Sequence, residues 1–277
     1  MEICFVGTAA SEGFPAPFCA CQECQSAKRE GGKNLRRRSS AVVDGQVLID
    51  FGPDTYTAYL SGIVDLLSIT DIVLTHSHTD HFYERELVNL FEPMSLHNPN
   101  LPIKIYGNET VIAQIKNYMV SQRRCFDQFS EVMTLIIVQP FESFKVAHLT
   151  FTALLANHAG PNENAYIYEI FSGDKSMLYG TDTGLLPAET VAYLQQHPQN
   201  LYVFDATTGS YLSPYDSHMS FREIAQTLEA IGMPSHSDIP IFGTHFVHGF
   251  CGLHDELIEQ GKQYGIIPAY DGLILKI

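Results

Sequence analysis

The sequence predicts an α/β protein in which two packed β-sheets are covered by helices. Apolar runs rich in β-formers come in bunches, with amphipathic segments interspersed, rather than in the strict alternation that builds a doubly wound parallel sheet. Ligand-type polar residues, His76, Asp182, Asp205 and His245, directly follow such runs, where a rigid scaffold presents reactive groups on its loops. With 277 residues and 45% apolar composition the chain can bury one large core, and no repeat or low-complexity linker marks a boundary. A single domain over 1–277 is expected.

Strand-like runs are Ile3–Gly7, Ala41–Val43 and Val47–Asp50, the last two joined by the hairpin signal Asp44-Gly45. Further runs are Ile72–Thr75, Thr134–Val138, Leu149–Leu155, Ala165–Ile170, Met177–Gly180, Leu201–Phe204 and Ile239–Gly243. Helical periodicity is clearest over Glu84–Leu96, Val111–Val120, Glu189–Gln196, Phe221–Ile231 and Leu253–Tyr264.

Composition narrows the function classes. The start, MEICFVGTAA, lacks the charged and apolar regions of a signal peptide, and no apolar run approaches a membrane span, so a cytoplasmic protein without membrane attachment is expected. A net charge of −15 disfavours extended nucleic acid, although six of the sixteen Lys and Arg residues fall between Lys28 and Arg38 and create a local positive field.

Within Thr75-His76-Ser77-His78-Thr79-Asp80-His81, three imidazoles and a carboxylate follow a strand-like run. A strand end turning into the next segment can aim His76 and His78 at one cation and Asp80 and His81 at a neighbour. Such ligands suit Zn, Fe, Mn or Co, and two ions about 3.5–4 Å apart can share a bridging hydroxide. Near the start, Cys19-Ala20-Cys21-Gln22-Glu23-Cys24 offers three thiolates at short spacing, a ligand cluster rather than a disulfide framework, within an insert at about 15–38. A structural zinc there needs a fourth ligand. His248 is the expected one, because Thr244-His245-Phe246-Val247-His248 lets one histidine face the catalytic metals while the other turns outward; His254 competes, but its helical pattern places it at the surface.

The HxHxDH segment resembles the signature of the metallo-β-lactamase superfamily, which implies a four-layer αββα sandwich. The resemblance implies a third histidine, met by Leu154-Leu155-Ala156-Asn157-His158, a bridging aspartate, met by Tyr179-Gly180-Thr181-Asp182-Thr183, and a last histidine, met by Phe242-Gly243-Thr244-His245. It thus assigns His76, His78 and His158 to one ion, Asp80, His81 and His245 to the other, and Asp182 to both. Asp50 resembles the family's buried acid behind the ligands, able to accept a spare imidazole N–H and set its tautomer. The CxCxxC insert with its THxxH ending is similar to a subgroup containing cyclic-phosphate phosphodiesterases of the carbon–phosphorus lyase pathway.

The superfamily hydrolyses several ester types, so residues outside the metal cage must choose among them. His218, in Tyr215-Asp216-Ser217-His218-Met219-Ser220, resembles a histidine that contacts phosphate and protonates the leaving oxygen; it and Asp80 are the residues assigned to the chemistry. Of Arg36, Arg37 and Arg38, Arg38 is taken as the substrate contact. The resulting expectation is a metal-dependent hydrolase of a small or cyclic phosphodiester with two active-site ions (Zn or Mn, with Fe allowed), one structural zinc, a small phosphorylated substrate and room for a homodimer. A lactone, thioester or ester hydrolase and a non-hydrolytic carrier in cofactor synthesis are the alternatives.

Overall fold

The computed structural model describes residues 1–91, 97–122, 130–233 and 238–277. Two seven-stranded sheets face each other among these residues. The first contains β1 (Glu2–Gly7), β2 (Ser40–Val43), β3 (Val47–Ile49), β4 (Asp71–Val73), β5 (Ile103–Gly107), β6 (Met133–Ile137) and β14 (Ile274–Lys276), in the order β14-β1-β2-β3-β4-β5-β6. The second contains β7 (Ser143–Val146), β8 (Leu149–Leu155), β9 (Tyr166–Ser172), β10 (Lys175–Gly180), β11 (Leu201–Asp205), β12 (Ile241–Thr244) and β13 (Ile267–Pro268), in the order β13-β12-β11-β10-β9-β8-β7.

Period-two burial builds the layer between the sheets. Ile3, Phe5, Val43, Val47, Ile49 and Val73 from the first sheet meet Phe151, Tyr168, Met177, Tyr179 and Val203 from the second. The outer face of the first sheet packs Leu48, Ile72 and Ile105 against α2 (Thr55–Leu60) and α3 (Glu109–Ser121). The outer face of the second packs Leu178, Tyr202 and Phe204 against α4 (Ala188–Gln196), α5 (Phe221–Ala230) and α6 (His254–Lys262). These four layers form the expected αββα sandwich. A satellite cluster of Ala9, Phe14, Ala16, Cys24 and Ala27 lies under α1 (Gln22–Glu30).

Local chemistry starts the helices. Asn108 caps α3 by accepting from Val111 N at 2.9 Å, and Ser220 and Glu223 form a reciprocal capping box on α5. The helix expected over Glu84–Leu96 is instead a 3₁₀ segment over Glu84–Leu90, with 92–96 outside the described residues; Leu87 is its one fully buried side chain, a narrower apolar face than an α-helix of that length would bury. Cys125 also falls outside them. No described helix is long and apolar enough to cross a membrane.

Candidate metal centre

Parallel pairing of β10, β11 and β12, with β8 antiparallel to β9 and β9 to β10, brings the C-terminal ends of β8, β10, β11 and β12 to one edge of the second sheet. His158, Asp182, Asp205 and His245 sit at or just beyond those ends. The first sheet delivers Asp50 after β3 and the 76–81 turn after β4; Tyr166 N donates to Thr75 O at 3.0 Å and joins the two edges. Gly52 lets the segment after β3 seat on this turn, since a Cβ there would come within 2.2 Å of the Asp80 carbonyl oxygen. Asp50, Asp182 and His245 have φ of 65°, 51° and 65°, left-handed conformations that cost energy in non-glycine residues and cluster at functional sites.

Side-chain ligand atoms of His76, His78 and His158 lie within 4.8 Å of one another, as do those of Asp80, His81, Asp182 and His245. His158 Nε2 is 3.0 Å from His78 Nδ1. Asp182 joins the groups: its Oδ1 is 3.0 Å from His245 Nε2 and 4.0 Å from His158 Nε2, and its Oδ2 touches His81 Nε2. Asp80 Oδ2 is 3.2 Å from His81 Nε2 and 3.8 Å from His245 Nε2.

Hydrogen bonds behind the rings determine which nitrogen is free. Asp50 Oδ2 accepts from His81 Nδ1 at 2.7 Å, and its Oδ1 accepts from Thr75 N at 2.8 Å. The Thr75 hydroxyl donates to Asp50 at 3.0 Å, so it accepts from His76 Nδ1, also at 3.0 Å. Thr207 Oγ1 likewise donates to Asp205 Oδ1 at 2.7 Å and accepts from His245 Nδ1 at 2.8 Å. His158 Nδ1 donates to Ser217 O at 3.2 Å. With an ion at the centre, each of these rings would carry its one proton on Nδ1 and present the Nε2 lone pair to the ion.

The Nε2 atoms of His76, His81 and His245 and Oδ2 of Asp182 are buried without a hydrogen-bond partner among the described residues. Buried acceptors aimed at one another are costly unless a cation lies between them, and mixed imidazole and carboxylate donors suit divalent transition metals. The donor set thus fits metal ions, and the chain is a divalent metal binder on this ground.

Protonation states follow the same logic. Burial, reinforced by the neighbouring His81, holds His76 well below the ordinary imidazole value, and burial lowers His158. Burial also opposes charge on Asp182, but His245 and His81 outweigh it and keep the carboxyl well below the usual range. Burial opposes charge on His81, but Asp182, Asp80 and Asp50 together outweigh it and raise the ring well above the usual imidazole value, so an ion binding at Nε2 displaces a second proton held there toward the carboxylates.

His218 stacks beside His245, with ring centroids 5.3 Å apart and 10° between planes, and lies edge-on to His158 at 4.9 Å. Its Nδ1 is 2.8 Å from Asp205 Oδ2, so Asp205 holds this ring as Asp50 holds His81. Burial alone would lower His218, but the Asp205 charge and hydrogen bond prevail and push it up to about 9.

At the cysteine insert the sulfurs of Cys19, Cys21 and Cys24 lie within 4.8 Å of one another. Ala16 N donates to Cys24 Sγ at 3.3 Å and Cys24 N to Cys21 Sγ at 3.4 Å, contacts that favour thiolate over thiol. His248, the expected fourth ligand, is not in that group: its backbone N and its Nδ1 meet Glu12 Oε1 at 3.2 and 2.9 Å. His254 is not the surface residue expected. It is buried, and its Nδ1 accepts from Arg36 Nη2 at 2.9 Å, a partner that periodicity alone does not reveal.

The arginine segment divides. Arg36 is buried, donating to Thr8 Oγ1, Ala269 O and His254; Arg37 pairs with Asp271 at 3.5 Å; Arg38 donates to Ser11 O at 2.7 Å and Asp54 Oδ2 at 3.0 Å. Sequence reasoning passed over Thr75, Thr207 and Glu12, because a hydroxyl or carboxylate behind a ligand has no spacing rule of its own.

A model of the beta-lactamase superfamily domain matches residues 46–240. Among curated protein sequences none matches the chain. Solved structures of similar fold include a diphosphatase from the PhnP family, at 23% identity and TM-score 0.75 over 100% of this chain and 97% of that one. Zn²⁺-bound PqqB from Methylobacterium extorquens aligns at 18% identity and TM-score 0.74 over 100% of both chains. Short-form human tRNase Z aligns at 17% and 0.67 over 100% and 99%. At such identities these likenesses speak for the fold, whereas the family match spans most of the chain and includes His76 through Asp182. The chain belongs to the metallo-β-lactamase superfamily.

Proposed function

We propose that the chain is a phosphodiesterase acting on a small or cyclic phosphodiester, with His218 as the general acid. The observation that carries this reading is the Asp205–His218 pair. Asp205 takes Nδ1 at 2.8 Å, which leaves Nε2 as the nitrogen able to give a proton to substrate, and it holds the ring protonated to about 9. A group of that kind suits protonation of an alkoxide leaving group.

His76, His78 and His158 would hold one ion, Asp80, His81 and His245 a second, with Asp182 between them. Such ions, when bound, supply Lewis acidity toward phosphoryl oxygens and lower the pKa of water. The chain's own residues orient and protonate. Asp50, Thr75 and Thr207 keep Nε2 of three rings bare and aimed at the centre. Arg38 is engaged by Asp54 and Ser11, whereas His218 lies beside His158 and His245, so His218 is the phosphate contact in this reading.

The cleft beside His158, about 490 Å³, is lined by Asn157, Tyr215 and the carboxylates of Glu163, Glu189 and Asp216, with no Lys or Arg among the described lining residues. It has room for one alcohol substituent and repels a polyanion, in keeping with the net charge of −15. Turnover of bis-p-nitrophenyl phosphate and a ribose cyclic phosphate, against a lactone and a thioester, tests the reading. Phosphodiester hydrolysis is expected; robust lactone or thioester turnover with inert phosphodiesters would assign the other ester class.

A further inference from the structure

We infer that Glu163 is a positioning residue for the His76, His78 and His158 group, locking the loop that carries the third imidazole onto the turn that carries the first two. The inference rests on the reading of that group as a metal site. Glu163 lies in the loop from β8 to β9, five residues beyond His158, and is half-buried. Its carboxylate spans the loop and the 76–81 turn. Oε1 accepts from Ser77 N at 2.8 Å and Oε2 accepts from Ser77 Oγ at 2.5 Å, so both hydrogen-bond donors of the residue between His76 and His78 end on one side chain.

Asn108 completes the clamp. It follows β5, is buried, and spends its whole amide here: Nδ2 donates to Glu163 Oε1 and to Asn164 O, both at 2.8 Å, while Oδ1 caps α3 through Val111 N at 2.9 Å. The 76–81 turn, the 158–164 loop and the start of α3 thus share one hydrogen-bonded junction. Among the described residues Glu163 bonds to Ser77 and Asn108 and to none of the three imidazoles, so its influence on them passes through the backbone of Ser77 and of its own loop. Ligands held by such outer contacts pay less ordering cost when an ion binds, and losing one contact of this kind typically weakens metal binding by about 10–100-fold.

The test uses the full chain loaded with Co²⁺ at the active centre, following visible absorption and the rate of ion loss to a chelator. Glu163→Ala should release the ion at His76, His78 and His158 about 10–100-fold faster than wild type and alter its absorption bands. The ion at Asp80, His81 and His245 and the zinc at the cysteines should be retained as in wild type. Glu163→Gln should restore retention, because its carbonyl oxygen can accept from Ser77 N and Asn108 while its amide donates to Ser77 Oγ. Wild-type retention and spectrum in Glu163→Ala would overturn the inference alone, as would loss of the cysteine zinc and a lower Tm in parallel, which mark general destabilisation. A Gln variant as defective as Ala would also overturn it, since charge rather than the hydrogen-bond pattern would then be what matters. A wild-type chain holding no ion at His76, His78 and His158 would overturn it together with the reading it rests on.

Discussion

Asp50 and Asp205 are bonded alike: each buried carboxylate takes one imidazole directly, His81 at 2.7 Å and His218 at 2.8 Å, and a second through a threonine hydroxyl. The relays are Thr75 to His76 and Thr207 to His245. Each threonine hydroxyl has one proton, committed to the aspartate, so the imidazole must supply the other. Thr207→Val keeps shape but removes the acceptor for His245 Nδ1. The expected result is an active-site ion held about 10–100-fold more weakly in chelator competition, with an intact fold. Unchanged affinity would show that the relay does not set the tautomer.

The cysteine site makes a separate prediction. Cys24 is buried, and burial pushes its thiol up to about 12, so without a bound cation this cluster stays protonated at that sulfur. Zinc binding would displace that proton and contribute folding free energy. If about 3 kcal/mol of the roughly 10–16 kcal/mol typical of a structural zinc is lost in Cys21→Ser, Tm falls by about 6–12 °C in a domain of this size. Calorimetry with metal analysis checks this; unchanged Tm and full zinc content would remove the site from the structural role.

His254 gives a pH dependence with a definite sign. Burial, then the charges of Arg36 and Lys33, lower it from 6.5 to about 4. The folded state resists protonation, so the stability contributed by the neutral ring is complete above about pH 6.5 and is lost as pH falls toward 4. Asp271 acts oppositely in an overlapping window, because burial raises its carboxyl from 3.8 to about 6 and it disfavours the fold as pH rises through that range. Comparison of wild type with His254→Gln isolates the histidine, since Asp271 is common to both. The stability advantage of wild type should shrink between pH 6.5 and 4; a constant difference in denaturant titrations would contradict the assignment.

Much of the centre was legible because its residues occupy strand ends. His76, His158, Asp182 and His245 each follow an apolar run, and a run followed by a ligand-type residue survives in one dimension. The backing was not. Asp205 stood out only as a polar strand end, and its grip on His218 depends on a loop folding back thirteen residues later. Helix α1 escaped notice because Gln22–Glu30 buries only Cys24, Ser26 and Ala27, too few apolar positions to show a period. Strands β13 and β14, of two and three residues, were too short for alternation to register. Among the three consecutive arginines, nothing in the sequence distinguishes Arg36, turned into the core, from Arg37 and Arg38, half-buried and paired with Asp271 and Asp54.

The assignment of His218 is tested most directly by its dependence on the leaving group. An alkoxide is a strong base that benefits from protonation as the bond breaks, whereas p-nitrophenolate departs readily without it. For His218→Ala, kcat should fall by about 10²–10⁴-fold on an alkyl phosphodiester and clearly less on an activated aryl diester, with metal content unchanged. Equal losses on both substrates would make His218 an electrostatic phosphate contact rather than an acid, and no loss on either would contradict its place in the reaction.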